Sequence, residues 1–158
     1  MKILVVSDTH GKEAELRALI AKYQTEIELV LHLGDHAEDL ISVQGDFSQI
    51  TCVAIDGNTD YGGVPERTLT LRGRRIFMTH GHYRNVRVGT DQLLYYAKEN
   101  DIDICLYGHT HVQEMATRDD VFIMNPGSLV EPRGGSRAGY GLIDISDEGE
   151  ILGEIIGI

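Results

Sequence analysis

Seven side chains of kinds that bind divalent cations are spread over the first 111 residues of this sequence. They are Asp8 and His10 in Ser7-Asp8-Thr9-His10-Gly11, Asp35 after Gly34, Asn58 after Gly57, His80 before Gly81, and His109 and His111 in Gly108-His109-Thr110-His111. Carboxylate, imidazole and amide donors with no thiolate among them suit Mn, Fe, Ni, Co or Zn better than a closed structural zinc site, and the set is large enough for two ions. Taken singly, most of these groups have a plainer explanation. Ser-Asp-Thr-His-Gly also fits a polar turn, Gly34-Asp35 and Gly57-Asn58 are ordinary turn pairs, and Asn58 is suited to a left-handed backbone. Two histidines at i and i+2 just past an apolar run are harder to explain by packing.

These residues need a frame that gathers them, and the apolar pattern supplies one. Residues 3–7 (ILVVS) read as a buried strand, and Leu16, Leu19, Ile20 and Tyr23 recur at helical spacing behind it. Residues 29–33 (LVLHL) and 50–55 (ITCVAI) read as further buried strands, with a short helix over 38–44 between them. Strands alternating with helices predict parallel crossovers. The second half changes character: RTLTL and RIFMT flank Arg72-Gly73-Arg74 as a hairpin, and a helix runs from Thr90, its expected N-cap, to about Asn100. Strands return at 103–107, on both sides of Arg118-Asp119-Asp120, at 140–145 and at the C-terminus. The expected fold class is α/β, a layered α/β/β/α sandwich of two mixed sheets flanked by helices. Nearly all the unusual polar residues fall just after a predicted strand, at the sheet edge where open α/β folds bind ligands.

In this order the blocks Asp-x-His, Gly-Asp, Gly-Asn, His with Gly, and Gly-His-x-His resemble those of the calcineurin-like metallophosphoesterase superfamily. The resemblance runs from residue 5 to about 128 and takes in Asn125-Pro126-Gly127-Ser128, a stretch similar to that of the small bacterial and archaeal phosphodiesterase branch. It implies one metallophosphoesterase domain over 1–158. It also implies one metal held by Asp8, His10, Asp35 and His111, and a second held by Asp35, Asn58, His80 and His109, with Asp35 shared. Two cations about 3.5–4 Å apart would fix a bridging hydroxide as nucleophile and clamp the phosphoryl oxygens. The catalytic residues expected are Asp35 and Asn58, which the resemblance implies, and His82, a candidate from its own position in the sequence. The implied cofactors are two divalent ions, with manganese named first and Zn, Fe, Ni or Co as alternatives.

One block departs from the wider superfamily, where the Asn is often followed by a His that assists the leaving group; here Thr59 follows Asn58. Threonine is no general acid, and such assistance is worth ~10²–10⁴ in rate, so activated diesters are the expected substrates. His82 is a candidate replacement donor and equally a supporting or loop histidine. Asp60 is a candidate to orient a ligand and Ser128 or the Asn125 backbone to brace the histidines, with structural turn roles equally open; Arg133 and Arg137 are candidates to guide a phosphate and otherwise solvated loop residues. His32, inside an apolar run, is expected to be buried and hydrogen-bonded rather than a ligand.

The remaining composition narrows the partners. The 25 acidic against 14 basic residues give a net charge of −11, which repels duplex nucleic acid and anionic membranes. No apolar run approaches the roughly 18 residues of a membrane span, and the opening MKILVVS is too short for a signal peptide, so a cytoplasmic protein acting on a small phosphodiester is expected. A homo-oligomer is left open. The two cysteines lie in apolar segments and imply no disulfide. The loop after the first strand is no glycine-rich phosphate cradle, which disfavours a dinucleotide-binding domain. A second function fits the same resemblance: a metal-binding scaffold for other proteins, similar to the metallophosphoesterase-like subunit of the retromer sorting complex, with little or no catalytic activity.

Overall fold

The computed structural model describes residues 1–158. The strands are β1 (Lys2–Val6), β2 (Leu29–His32), β3 (Thr51–Ala54), β4 (Glu66–Leu71), β5 (Arg74–Thr79), β6 (Ile104–Leu106), β7 (Glu114–Arg118), β8 (Val121–Asn125), β9 (Gly139–Ile145) and β10 (Ile151–Gly157). The α-helices are α1 (Glu13–Tyr23), α2 (Glu38–Val43) and α3 (Asp91–Glu99). One sheet has the order β10-β9-β1-β2-β3 and the other β4-β5-β6-β8-β7. Each is mixed: β1, β2 and β3 run parallel to one another, as do β5, β6 and β8, while β9, β10, β4 and β7 pair antiparallel. The α/β sandwich of two mixed sheets expected from the sequence is the fold observed.

Both faces of the central strands are covered, which is why they read as unbroken apolar runs rather than as alternating ones. Ile3 and Val5 of β1 meet Ile76 and Met78 of β5 and Ile104 and Leu106 of β6 between the sheets. Leu4 and Val6 face the other way, onto Leu16, Leu19 and Ile20 of α1 and Leu40 of α2. Across the second sheet, Phe77 and Cys105 turn outward onto Leu93 and Ala97 of α3. The period-2 alternation therefore divides each strand between the central core and one helical layer.

The turns behave as their residues dictate. Arg72 and Gly73, and likewise Asp119 and Asp120, all have positive φ, the geometry that two-residue hairpin loops require. Thr90 does stand at the N-cap of α3, but it makes no capping bond; its hydroxyl accepts a hydrogen bond from Arg118 Nη1 at 2.7 Å instead. A nearby guanidinium outcompetes the helix N–H groups because a charge-assisted bond is the stronger one. No helix is long and apolar enough to cross a membrane.

His32 ends β2 fully buried. Its Nδ1 accepts from Gly34 N–H at 3.1 Å, so Nε2 carries the proton and donates to Thr9 Oγ1 at 2.9 Å, and Thr9 in turn donates to Asp39 Oδ2 at 2.5 Å. It is a structural histidine, as the apolar run around it implies. Burial holds its imidazolium down to about 4 from the ordinary 6.5, against the pull of Asp8, Asp60 and Asp39. Because the folded value lies below the unfolded one, this stabilisation is present above pH 6.5 and is lost as the pH falls towards 4. Replacing His32 by Gln should flatten the pH dependence of the unfolding free energy between 6.5 and 4 by on the order of 3 kcal/mol, read by urea titration.

Candidate metal centre

The loops after β1, β2 and β3 carry Asp8 and His10, Asp35, and Asn58; those after β5 and β6 carry His80, His109 and His111. Parallel strands bring these loops to one end of each sheet, and hydrogen bonds lock the two ends together. Asp8 N–H donates to Gly34 O at 3.0 Å within the first sheet, and Gly108 N–H to His80 O at 3.1 Å within the second. Between sheets, Ser128 Oγ donates to Asp8 O at 2.7 Å, His109 N–H to Asp8 Oδ2 at 3.2 Å, and His80 Nδ1 to Leu33 O at 2.7 Å.

Six residues of these loops, Asp8, His10, Asp35, His36, His109 and His111, have φ between 46° and 68°. Left-handed backbone is disfavoured for residues bearing a Cβ, at roughly 1–2 kcal/mol each, and its concentration here marks a place where side chains are needed despite the strain. Two glycines permit the close packing. A Cβ on Gly57 would lie 2.2 Å from Asp35 Oδ1, and one on Gly108 would lie 2.0 Å from Ser7 Oγ.

All seven predicted ligands converge. Asp8, His10, Asp35 and His111 each offer an atom within 4.8 Å of the others. His111 Nε2 lies 3.1 Å from Asp8 Oδ1 and 3.3 Å from His10 Nε2. On the other side, His80 Nε2 lies 3.4 Å from Asp35 Oδ1 and 3.1 Å from Asn58 Oδ1, which is 3.0 Å from His109 Nδ1. Asp35 touches both groups, because its Oδ2 lies 4.0 Å from His10 Nε2.

The donor set fits a divalent cation on three observations. Asp8 is 0% exposed, and its Oδ1 has no hydrogen-bond partner although its Oδ2 receives Ser7 Oγ at 2.6 Å. An orphaned buried carboxylate oxygen is costly unless a cation meets it. His80 and His111 direct their Nδ1 atoms at the carbonyls of Leu33 and Glu131, so that each Nε2 turns a lone pair into the cluster. The charge is also set. Burial pushes the Asp8 and Asp35 carboxyls up, but the neighbouring histidines, with Ser7 and Thr59, outweigh it and hold both below the ordinary carboxylate value.

The supporting residues differ in part from the sequence reading. Asp60 accepts from Gly57 N–H at 2.7 Å and Ala37 N–H at 3.1 Å, tying together the loops of Asn58 and Asp35 rather than touching a ligand side chain. Asn125 acts through its side chain, donating to Gly108 O at 3.1 Å and Thr110 Oγ1 at 2.9 Å. The imidazole braces are backbone carbonyls, which no sequence pattern could reveal. Arg133 is tied to the cluster by its backbone N–H on His111 O, while Arg137 packs beside Gly157 of β10. Arg87, absent from the sequence reading, donates from Nε to His109 Nε2 at 3.0 Å. Burial, helped by the charges of His80 and Arg87, lowers His109 to about 4 and keeps it neutral. His82 packs over the cluster, its ring 5.4 Å from His80 and 6.1 Å from His109, with Nδ1 buried and unpartnered. Burial and then His80 lower its pKa.

Residues 1–148 match the calcineurin-like phosphoesterase superfamily domain. The chain belongs to that superfamily. It is 29% identical over 168 aligned positions to the phosphodiesterase YfcE of Escherichia coli, covering 91% of this chain and 88% of the relative. A predicted phosphoesterase of Streptococcus pneumoniae has the same fold, with a TM-score of 0.78 at 28% identity over 92% of this chain and 83% of its own. So does Vps29 of Entamoeba histolytica, solved in complex with Zn²⁺, with a TM-score of 0.75 at 21% identity, covering 98% of this chain and 97% of that one.

Burial pushes the His80 and His111 imidazoles down, but Asp35 and Asp8 overcome it and raise both above 6.5. In chelator-treated protein the stabilisation from the raised values is complete below pH 6.5 and is lost as the pH rises through the folded values. Protons compete with cations for the same nitrogens. Metal affinity measured by chelator competition should therefore strengthen from pH 6 to pH 8. The Gly57→Ala variant, which drives a methyl into Asp35, should lose tight binding at both pH values.

Proposed function

We propose that residues 1–158 act as one metallophosphoesterase domain, a metal-dependent phosphodiesterase that hydrolyses a small phosphodiester at a two-metal centre. The observation that carries this reading is the buried, unpartnered Asp8 Oδ1 within a ring of outward-braced imidazoles, joined through Asp35 to the Asn58, His80 and His109 group. Asp8, His10, Asp35 and His111 would hold one cation and Asp35, Asn58, His80 and His109 the other. Manganese is the first choice, and the neutral nitrogen and oxygen donors serve Zn, Fe, Ni or Co as well. Two such cations supply Lewis acidity, which lowers the pKa of water and neutralises phosphoryl oxygens.

The chain's own residues do the rest. The carbonyl-braced imidazoles and the Asp60 clamp fix the ligand atoms in place, so little reorganisation is needed as the phosphoryl group reacts. The Arg87 guanidinium, beside His109 at the mouth of the cluster, adds positive charge for a phosphate oxygen. Thr59 uses its backbone N–H to hold Asp35 Oδ1 at 3.1 Å and has no acid to offer a leaving group. His82, with its buried and unpartnered Nδ1, is the candidate for that proton. An acidic surface and a metal-centred site suit a cytoplasmic enzyme of small esters, not a binder of duplex nucleic acid or membranes.

The scaffold reading keeps support from the likeness to Vps29, which at this identity is a likeness of fold. The exposed large apolar side chains lie on α2, the β3–β4 loop, the segment before α3, α3 itself, β7 and β10.

The test is hydrolysis of bis(p-nitrophenyl) phosphate and of p-nitrophenyl phosphate by chelator-stripped protein, with Mn²⁺, Zn²⁺, Ni²⁺ and Mg²⁺ restored in turn. Diester turnover should return with metal and fall by at least ~10²-fold in Asn58→Ala, which removes a ligand from the second site. Metal binding without turnover of either ester would favour the scaffold. In the active protein, His82→Ala should slow diesters with alkoxide leaving groups far more than nitrophenyl ones, by up to ~10²-fold. Equal slowing of both would remove His82 as the proton donor.

A further inference from the structure

A cavity of about 570 Å³ opens beside the metal cluster, and the cluster's chemistry does not account for it. His36, Glu38, Ile41, Asp56, Thr59 and Tyr61 form most of its wall. Two of its lining residues adjoin the cluster. Thr59 holds Asp35 Oδ1 through its N–H, and the His36 ring lies 5.6 Å from that of His10. Whatever is joined to a phosphorus atom at the cluster therefore has this space within reach.

Two large apolar side chains on the wall, Tyr61 and Ile41, are 94% and 61% exposed. They come from different elements, Tyr61 from the loop after β3 and Ile41 from α2. A tyrosine so fully in water leaves its ring faces unused, and a flat apolar group between it and Ile41 would recover that contact. The charge on the wall is of one sign. No lysine or arginine lines the cavity, and its carboxylates are Glu38, Asp56 and Asp60. Asp60 is committed to two backbone N–H groups and Asp56 Oδ2 to Gly63 N–H at 2.7 Å. Glu38 remains, 3.8 Å from the His36 ring, and it repels a further anion.

We propose that this cavity seats one ester substituent of the substrate and selects a flat, apolar ring that carries no negative charge of its own. The proposal rests on the phosphodiesterase reading and narrows it: an aryl or nucleoside ester fits, whereas an ester whose second substituent bears another phosphate does not.

Titration calorimetry of the Mn²⁺-loaded protein with methylphosphonate, phenylphosphonate and 4-carboxyphenylphosphonate, which are not hydrolysed, tests the cavity apart from turnover. Phenylphosphonate should bind roughly 3–10-fold tighter than methylphosphonate, the scale of one aromatic contact. The carboxylate should cancel that gain. Tyr61→Ala and Ile41→Ala should each lower phenylphosphonate affinity and leave methylphosphonate unchanged, and Glu38→Gln should restore the carboxyphenyl ligand. With bis(p-nitrophenyl) phosphate, Tyr61→Ala should raise KM by a similar factor with kcat held. Equal affinities for the methyl and phenyl ligands, or a phenyl preference that survives both apolar truncations, would overturn the proposal even if diester hydrolysis is robust. If no ester is turned over, the phosphodiesterase reading fails while the calorimetry still decides the cavity: a phenyl preference lost in Tyr61→Ala upholds it, and no preference rejects it.

Discussion

The structure depends on one buried carboxylate. Asp8 sits at the end of β1 with no exposed surface, held at Oδ2 by Ser7 and the His109 backbone, and with Oδ1 satisfied by no donor. An ionised group in that position must be met by positive charge, and everything around it is arranged to provide a place for it. His111, His10 and His80 face it from three loops, and the carbonyls of Leu33 and Glu131 fix which nitrogen of two of those rings points inward. The same residue joins the sheets, because its backbone carbonyl accepts from the Ser128 hydroxyl and its carboxylate accepts from the His109 N–H.

The loops bear a conformational cost to make this possible. Asp8, His10, Asp35, His36, His109 and His111 occupy a backbone region that glycine would take more readily. The glycines of the motifs sit next to them instead, at positions where a methyl group would strike Asp35 or Ser7. A motif such as Gly57-Asn58 thus has two physical halves, a ligand and the empty space that lets a neighbouring loop approach it.

Around that centre, function divides by environment. The cluster is buried at Asp8, Asp35, His80 and His111 and braced by backbone; the cavity beside it is open, partly apolar and acidic. The cavity is built from side chains of α2 and the β3–β4 loop, which lie outside the packed core of the sandwich. Thr59 stands at the border between cluster and cavity, lining the cavity while its N–H holds Asp35.

Much of this was legible in the sequence. Unbroken apolar runs marked the strands buried on both faces, the spacing of Leu16, Leu19 and Ile20 marked α1, and polar residues placed after strands marked one end of the sheets, because periodicity and parallel crossovers are local consequences of side-chain type. The seven candidate ligands followed from residue type and order. Four things were decided only by the tertiary fold, since each depends on groups distant in sequence. The histidines are braced by carbonyls of Leu33 and Glu131, which any residue could supply. Thr90 gave up its capping bond to Arg118, 28 positions away. Arg87 reached His109, and Tyr61 and Ile41 came to line one cavity, through loop paths that no periodicity encodes. Residue type fixes what a side chain can do; which partner it meets is set by how the two sheets pack.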